Sequence, residues 1–268
     1  MILSVDFGAS TTDAVLLGGK KIIKTASTPK LLRTKKEIED FLKKNNFSKR
    51  GIDTVAITGG KSSFFRQKIF GFQPKHVNEI EAIGNGAAFL AKKKRCLAVS
   101  MGTGTCLVFF NNGKSKHVIG SGVGGGTVLG LSHLLLKQKK IAALDALARK
   151  GKLSRVDLSV RDIVGKSIGI VAANATASNF AKLKNFSKAD IAAAIQNLVA
   201  ESVAVLAVSA SNSCNCDLIV FCGKTAKFSF VRKRLNVAAR LFGKRFLFPA
   251  RFDFATAVGA ALAAKKQE

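Results

Sequence analysis

One pattern occurs twice in this chain and constrains its fold more than anything else in the sequence. An apolar run, Ile2-Leu3-Ser4-Val5, leads into Asp6-Phe7-Gly8-Ala9-Ser10-Thr11-Thr12. A second run, Ala14 to Leu17, follows; Gly18-Gly19-Lys20 makes a tight turn, and Ile22-Ile23 opens a third run. The same layout returns between Leu97 and Leu129. There Leu97 to Met101 ends at Gly102-Thr103-Gly104-Thr105, Cys106 to Phe110 follows, and Asn111-Asn112-Gly113 turns the chain. Lys116 to Ile119 then leads into Gly120-Ser121-Gly122-Val123-Gly124-Gly125-Gly126. Apolar runs split by an Asn-Gly turn predict a β-hairpin. A glycine-rich bend after a strand lets backbone N–H groups approach an anion, above all where a helix begins, as the pattern does at Thr127-Val128-Leu129. Any one such bend also serves as a plain tight turn. Two copies of one unit predict duplicated halves facing each other across a cleft, with a phosphate chain gripped from both sides.

The rest of the chain alternates strands and helices, as an α/β fold requires. Periodicity predicts a helix over Lys35 to Asn45 and a buried strand at Asp53 to Ile57 that ends on Thr58-Gly59-Gly60. It also predicts a short helix around Ser63 to Lys68, and helices running to Lys92, from Val128 to Lys137 and from Ile141 to Lys150. Ser187 with Asp190 caps a long helix reaching about Ser209. Leu218 to Phe221 reads as a buried strand ending at Cys222-Gly223-Lys224-Thr225; a helix (Val231 to Leu241), a strand (Arg245 to Phe248) and a small-residue helix (Ala255 to Ala264) follow. Strand ends line the crevice of an open α/β sheet, which puts Gly59-Gly60 beside it. Glu79 and Glu81 stand at a helix entrance in a chain with 16 acidic residues against 44 Lys and Arg. Two readings are open. They compensate the helix N-terminus, worth under about 1 kcal/mol, or one is a general base for a hydroxyl group at the cleft.

At 268 residues the chain suits one large domain or two lobes. Its most apolar span, Ile191 to Ala210, is broken by Gln196, Asn197 and Glu201, which predicts a buried helix and no membrane span. The chain begins directly on a strand-like run, so no targeting segment is expected. Its 5 cysteines lack a partnering His or a second Cys pair, which argues against zinc and for reduced cytoplasmic thiols. A formal net charge of +28 attracts nucleic acid, acidic membranes and anionic small molecules alike. Yet the cations come scattered, at Lys20-Lys21, Lys92 to Arg95, Lys139-Lys140 and Arg232 to Arg234, and Tyr and Trp are absent. That predicts a solvated basic face without specific nucleic-acid recognition.

In their order and spacing these motifs resemble the type II (eukaryotic-like) pantothenate kinase family, within the acetate kinase, sugar kinase, Hsp70 and actin superfamily. Asp6-Phe7-Gly8-Ala9-Ser10 is similar to the family's first phosphate loop, Thr58-Gly59-Gly60 to its Thr-Gly-Gly strand end, and Glu79-Ile80-Glu81-Ala82 to its Glu-Phe-Asp-Ala segment. Gly102 to Thr105 is similar to the second phosphate loop, and Gly120 to Gly126 with Leu129-Gly130-Leu131 to the Gly-rich loop and helix. Val156 to Ile163, Ala177 to Phe180 and Val258 to Leu262 are similar to later family segments. The first loop is also somewhat similar to that of the ATPase activators of acyl-CoA and hydroxyacyl-CoA dehydratases, whose iron–sulfur cysteines have no counterpart here.

The resemblance implies an α/β fold of two duplicated ribonuclease H-like lobes, the actin-like ATPase fold, with an ATP cleft between them. Residues 1–95 would form the N-terminal lobe with the first phosphate loop and Glu79. Residues 96–268 would form the C-terminal lobe with the second loop, the Gly-rich loop and dimerisation helices. The implied reaction is transfer of the γ-phosphoryl group of ATP, with Mg²⁺, to the primary hydroxyl of pantothenate, the first step of coenzyme A synthesis, in a cytoplasmic homodimer. Gly8, Ala9, Ser10, Thr11 and Thr12 from one lobe and Gly102, Thr103 and Gly104 from the other would cradle the phosphates. Gly125, Gly126, Thr127 and Val128 would lie against the nucleotide, and Lys224 would add charge near it. Asp6 would orient Mg²⁺ through water, its alternative being a turn cap. Glu79 would be the base, with Thr105 and His117 at the acceptor. Ala9, Asp13 and Lys224 depart from the family pattern, and His117 stands where the family places an arginine for the pantothenate carboxylate. His117 has three readings: it holds that carboxylate, it leaves the task to Lys116 or another cation, or it is a plain strand residue. The alternative functions are phosphorylation of another small hydroxylated acceptor, pantetheine or a sugar, and non-catalytic nucleotide or nucleic-acid binding on the same fold.

Overall fold

The first copy of the repeated unit folds as three antiparallel strands, β1 (Ile2–Phe7), β2 (Thr12–Gly18) and β3 (Lys21–Thr28). The structure is a computed structural model that describes residues 1–169 and 171–265. β1 takes a parallel partner, β4 (Thr54–Thr58), itself paired with the short β5 (Lys75–His76). The second copy repeats this with β6 (Arg95–Met101), β7 (Thr105–Asn111) and β8 (Lys114–Ser121). The chain then makes a small sheet of β9 (Leu158–Ser159) and β10 (Thr176–Ser178). It returns to give β6 the parallel partner β11 (Leu218–Cys222), which pairs in turn with β12 (Arg245–Leu247). Strand order is β3-β2-β1-β4-β5 in one sheet and β12-β11-β6-β7-β8 in the other, one topology used twice. The strands of the first sheet all precede Arg95, where the second begins; residues 266–268, at the end of the expected second lobe, lie outside the described residues.

The helices cover these sheets unequally. α1 (Lys35–Lys44) is capped by Thr34, with Glu37 closing the capping box, and buries Ile38 and Leu42 against Leu3, Val5 and Ile57. α2 (Glu79–Ala91) follows the first sheet but packs on the second, setting Ile83, Ala87 and Ala88 against Ala98, Val108 and Val220. The outer face of the second sheet carries α3 (Gly125–Leu136), α4 (Ile141–Ala148) and the long α6 (Lys188–Ser213), with α7 (Ser229–Leu241) beside them; the single-turn α5 (Val160–Val164) lies between α4 and α6 in the chain. α8 (Ala255–Lys265) makes the reverse exchange to α2, packing Val258, Ala260 and Ala261 on the first sheet. α2 and α8 cross between the two sheets with their glycines in contact. A Cβ on Gly86 would overlap the Ala255 carbonyl oxygen, and one on Gly259 would overlap that of Ala82. Only glycine lets two helix backbones approach so closely.

The Ser187–Asp190 cap of α6 forms as the sequence predicts, with Ser187 N–H donating to Asp190 at 2.8 Å. α6 is long and apolar enough to cross a membrane, but 72% of its most apolar window is buried inside the fold. That is how a core helix packs. Other expectations shift. The helix expected over Ser63 to Lys68 is only a 3₁₀ turn at Ser62–Phe64, because Phe65 is extended and stacks its ring on Phe7 at 5.5 Å. α3 starts at Gly125, earlier than Val128, because the glycines themselves turn into the helix. α6 runs on to Ser213, and α7 starts at Ser229.

Candidate active site

Strand register sets Asp6 directly opposite Asp13 on β1 and β2. Like charges paired across strands repel. A cation from the other sheet relieves this pair: Lys224, just past the end of β11, donates to Asp13 Oδ1 at 2.6 Å and to Ser27 Oγ at 2.8 Å. Burial, then the neighbouring Asp13 and Glu79 carboxylates, push the Asp6 pKa up to about 7 against the pull of Lys224. Burial raises Asp13 as well, with Lys224 opposing it. Glu79 opens α2 where Asn78 caps the helix, its side chain accepting from Ile80 N–H at 2.9 Å. The Glu79 carboxylate opens to the cleft, and the surrounding walls remove enough water to raise its pKa.

The two glycine loops meet. Ser10 Oγ and Thr103 Oγ1 share a hydrogen bond of 2.8 Å across the cleft. The second loop is braced from behind: Gly125 and Gly126 N–H donate to the Gly102 and Thr103 carbonyls at 2.9 and 2.8 Å, and the Thr225 hydroxyl donates to Gly102 at 2.9 Å. Those glycine N–H groups therefore hold the loop and are not turned toward an anion. Thr105 donates its hydroxyl to the Val123 carbonyl at 2.7 Å.

A cavity of about 520 Å³ lies between the sheets. Its lining brings together Asp6, Gly8, Ala9, Ser10 and Thr11 from one side with Gly102, Thr103, Gly104, Thr105, Gly125, Gly126 and Lys224 from the other, and Glu79 joins them. Four residues expected there do not line it. Thr12 is buried, donating to the Lys30 carbonyl and accepting from Leu32 N–H. Thr127 bonds back to the turn that starts its helix, at Gly122 and Gly124, and Val128 is sealed in the core. His117 is exposed on β8, its ring near Gly120 at the rim. Conversely, Asp13, Thr225, Asp253 and Thr256 line the cavity. The strand-end rule that marked Gly59-Gly60 points equally to Thr225, after β11. Asp253 and Thr256 come with α8, whose return to the first sheet has no local signature.

Among the described residues no cluster of three His, Cys, Asp or Glu side chains is spaced to enclose a metal ion. Mg²⁺ needs no such cage, because it keeps most of its water and takes one or two carboxylates alongside phosphate oxygens. Asp6, starved of solvent beside Asp13, fits that demand.

The raised Asp6 pKa has a measurable consequence without nucleotide. From an ordinary 3.8 to about 7, the folded state holds a proton that the unfolded state releases. Stability from this group is therefore full below about pH 4 and is lost as pH rises to about 7, by on the order of 4 kcal/mol in total. Asp6→Asn removes the dependence. Its stability relative to wild type, measured by urea unfolding, is expected to improve by roughly 2–3 kcal/mol between pH 5 and pH 8. A flat difference over that range would rule Asp6 out as the group responsible.

Comparison with known proteins bears on the same elements. The fold is shared with the activator of the 2-hydroxyisocaproyl-CoA dehydratase from Clostridium difficile with bound ADPNP, at TM-score 0.71 and 17% identity over 99% of this chain and 94% of that one. It is shared also with the ROK hexokinase of Thermus thermophilus, at TM-score 0.58 and 11% identity over 100% and 99%. These place the two sheets in the two-lobed actin-like ATPase fold. In sequence, the type II pantothenate kinase of Bacillus cereus (strain G9842) is 34% identical over 199 residues, 70% of this chain and 71% of that protein. A second Bacillus cereus type II pantothenate kinase, from strain ATCC 14579, is 31% identical over 233 residues, 83% of each chain, and that of Oceanobacillus iheyensis is 32% identical over 216 residues, 77% of each. The Fumble family model matches residues 95–263, from the first residue of β6 into α8. With the second sheet matched throughout and relatives matched over 70% to 83% of this chain carrying one name, the chain belongs to the Fumble family, that of the type II pantothenate kinases.

Proposed function

We propose that this protein transfers the γ-phosphoryl group of Mg·ATP to the primary hydroxyl of pantothenate, giving 4'-phosphopantothenate, the first step of coenzyme A synthesis. The observation that carries the reading is Glu79. A carboxylate with a raised pKa stands in one cavity with two glycine-and-hydroxyl loops that meet across it. Binding alone needs no base, whereas phosphoryl transfer needs positioning, charge neutralisation and a proton acceptor.

On this reading Gly8, Ala9, Ser10 and Thr11 face the phosphates from one lobe and Gly102, Thr103 and Gly104 from the other. Thr12, Thr127 and Val128 lie outside the cavity lining and make no phosphate contact on this reading. Lys224 brings a positive charge into the cavity, and Asp13 and Ser27 hold its ammonium in place. Mg²⁺, when bound through water at Asp6, neutralises phosphate charge. Glu79 takes the acceptor's proton as the new O–P bond forms and the bond from the γ-phosphorus to its bridging oxygen breaks. Thr105 and His117 flank the acceptor. His117 sits outside the cavity lining, which favours a looser hold on the pantothenate carboxylate than a bidentate arginine would give. We place the protein in the cytoplasm as a homodimer. Five free thiols suit a reducing compartment, and the exposed Leu134, Leu135 and Val205 supply apolar surface for a second copy. Specific nucleic-acid binding has no part in this reading.

The test is ADP release from Mg·ATP with pantothenate, pantetheine, pantoate and N-acetylglucosamine in parallel. Turnover is expected with pantothenate; turnover confined to another acceptor would keep the kinase and discard the substrate. A strong preference for pantothenate over pantetheine that survives His117→Ala would remove His117 from the acceptor site. Lys224→Ala is expected to raise the KM for ATP about tenfold or more, the loss of one charge-assisted contact. An unchanged KM would confine Lys224 to neutralising Asp13.

A further inference from the structure

A second cavity, about 1120 Å³, opens at the opposite end of the sheets from the glycine loops. Connectivity sets that position, because each repeated unit has its glycine loop at one end of its strands and its tight turn at the other. The β2–β3 turn at Gly19 and the β7–β8 turn at Asn112-Gly113 wall the groove. Its floor is apolar, made by Ile22, Ala88, Phe89, Leu90, Phe110 and Leu262 from both sheets, the end of α2 and α8. Its rim carries Lys20-Lys21, Lys92 to Lys94, Arg251 and Lys265, and among the described residues no Asp or Glu lines it. Among the described residues none of these cations makes an ion pair.

A helix C-terminus attracts a cation, so the end of α2 accounts for a lysine at 92 to 94. It does not account for Lys20-Lys21, Arg251 and Lys265, which three other segments bring to the same rim against mutual repulsion. We propose that this groove docks an acidic amphipathic helix of a partner protein, its apolar stripe on the floor and its carboxylates on the lysine rim. The pairing is the helix-in-groove mode with charge complementarity added. Size argues for a peptide, since the groove exceeds the roughly 300–1,000 Å³ usual for small-molecule pockets. The walls argue against a bilayer, because a flat lipid surface does not enter between the turns at Gly19 and Asn112-Gly113. The floor argues against nucleic acid, because bases need open aromatic faces to stack on and Phe110 is only 7% exposed.

The probe is a fluorescent peptide of about 18 residues, long enough to hold a helix, with Leu at i, i+3, i+4 and i+7 spacing and Glu on the other faces. Anisotropy titration is expected to show binding that falls at least about tenfold in Lys92→Glu/Lys93→Glu/Lys94→Glu. A scrambled peptide of the same composition is expected to bind at least about tenfold more weakly, because it has no apolar stripe. Circular dichroism checks that the variant folds; should it not, Lys20→Glu/Lys21→Glu on the facing turn takes its place. Absent binding, equal binding of the scrambled peptide, or binding that survives the charge reversal would overturn the proposal. Tighter binding of phosphatidylglycerol vesicles or of a single-stranded oligonucleotide, lost in the same variant, would assign the groove to that class instead and equally overturn it.

Discussion

Glu79→Gln is expected to lower kcat for pantothenate phosphorylation by about 10²–10⁴-fold while leaving the KM for Mg·ATP within about threefold. Glutamine keeps the shape of the side chain and removes its capacity to accept a proton. Glu79 is exposed to the cleft at the first position of α2, and the cap that starts the helix is the Asn78 side chain. The substitution therefore leaves the helix start intact, and thermal unfolding should move little. The pH profile separates a base from a bystander. Burial raises the Glu79 pKa above the ordinary 4.5, so the acidic limb of wild-type kcat rises with pH as the carboxylate loses its proton. In the glutamine variant that limb should vanish from the residual rate. A variant that keeps wild-type kcat would reduce Glu79 to compensating the helix N-terminus, an effect under about 1 kcal/mol.

The second large effect concerns stability. Gly259→Leu forces a side chain into the Ala82 carbonyl and the backbone of Gly86, where α8 crosses α2. Nothing flexible is there to give way. The cost should reach or exceed the top of the about 1–3 kcal/mol range usual for overpacking, read as a lower urea midpoint at unchanged slope. Because α2 begins at Glu79 and α8 begins beside Asp253 and Thr256 of the cavity, prying the helices apart should also lower kcat. Gly130→Ala is the control. It sits exposed on α3 with nothing within 4 Å of an added Cβ, and is expected to stabilise by up to about 1 kcal/mol through helix propensity. Equal losses from both substitutions would mean that the helix crossing is looser than these backbone contacts require.

Much was legible in the sequence because it is locally encoded. Alternating apolar runs with glycine turns made the two hairpin units readable, and Ser187 with Asp190 marked the start of α6 within a residue. Both glycine-and-hydroxyl loops and Glu79 were visible as short motifs, and their order carried the family. The bounds that slipped are those where neighbours overrule propensity. Gly125 and Gly126 are poor helix formers, yet they begin α3 because the Gly102 and Thr103 carbonyls take their N–H groups.

The sequence by itself determined the repeated unit, its two glycine-and-hydroxyl loops and the carboxylate at the start of α2, since each of these lies in a few consecutive residues. Only the tertiary structure decided which of those residues face the cavity. A helix turns about 100° per residue, so Gly125 and Gly126 line it while Val128 points into the core. The tertiary structure also paired Lys224 with Asp13 across the cleft and exchanged α2 and α8 between the sheets. It gathered the lysines of three separate segments and Arg251 of a fourth around one apolar groove. Strand register and helix crossing set these juxtapositions between residues far apart in the chain, and no local pattern encodes them.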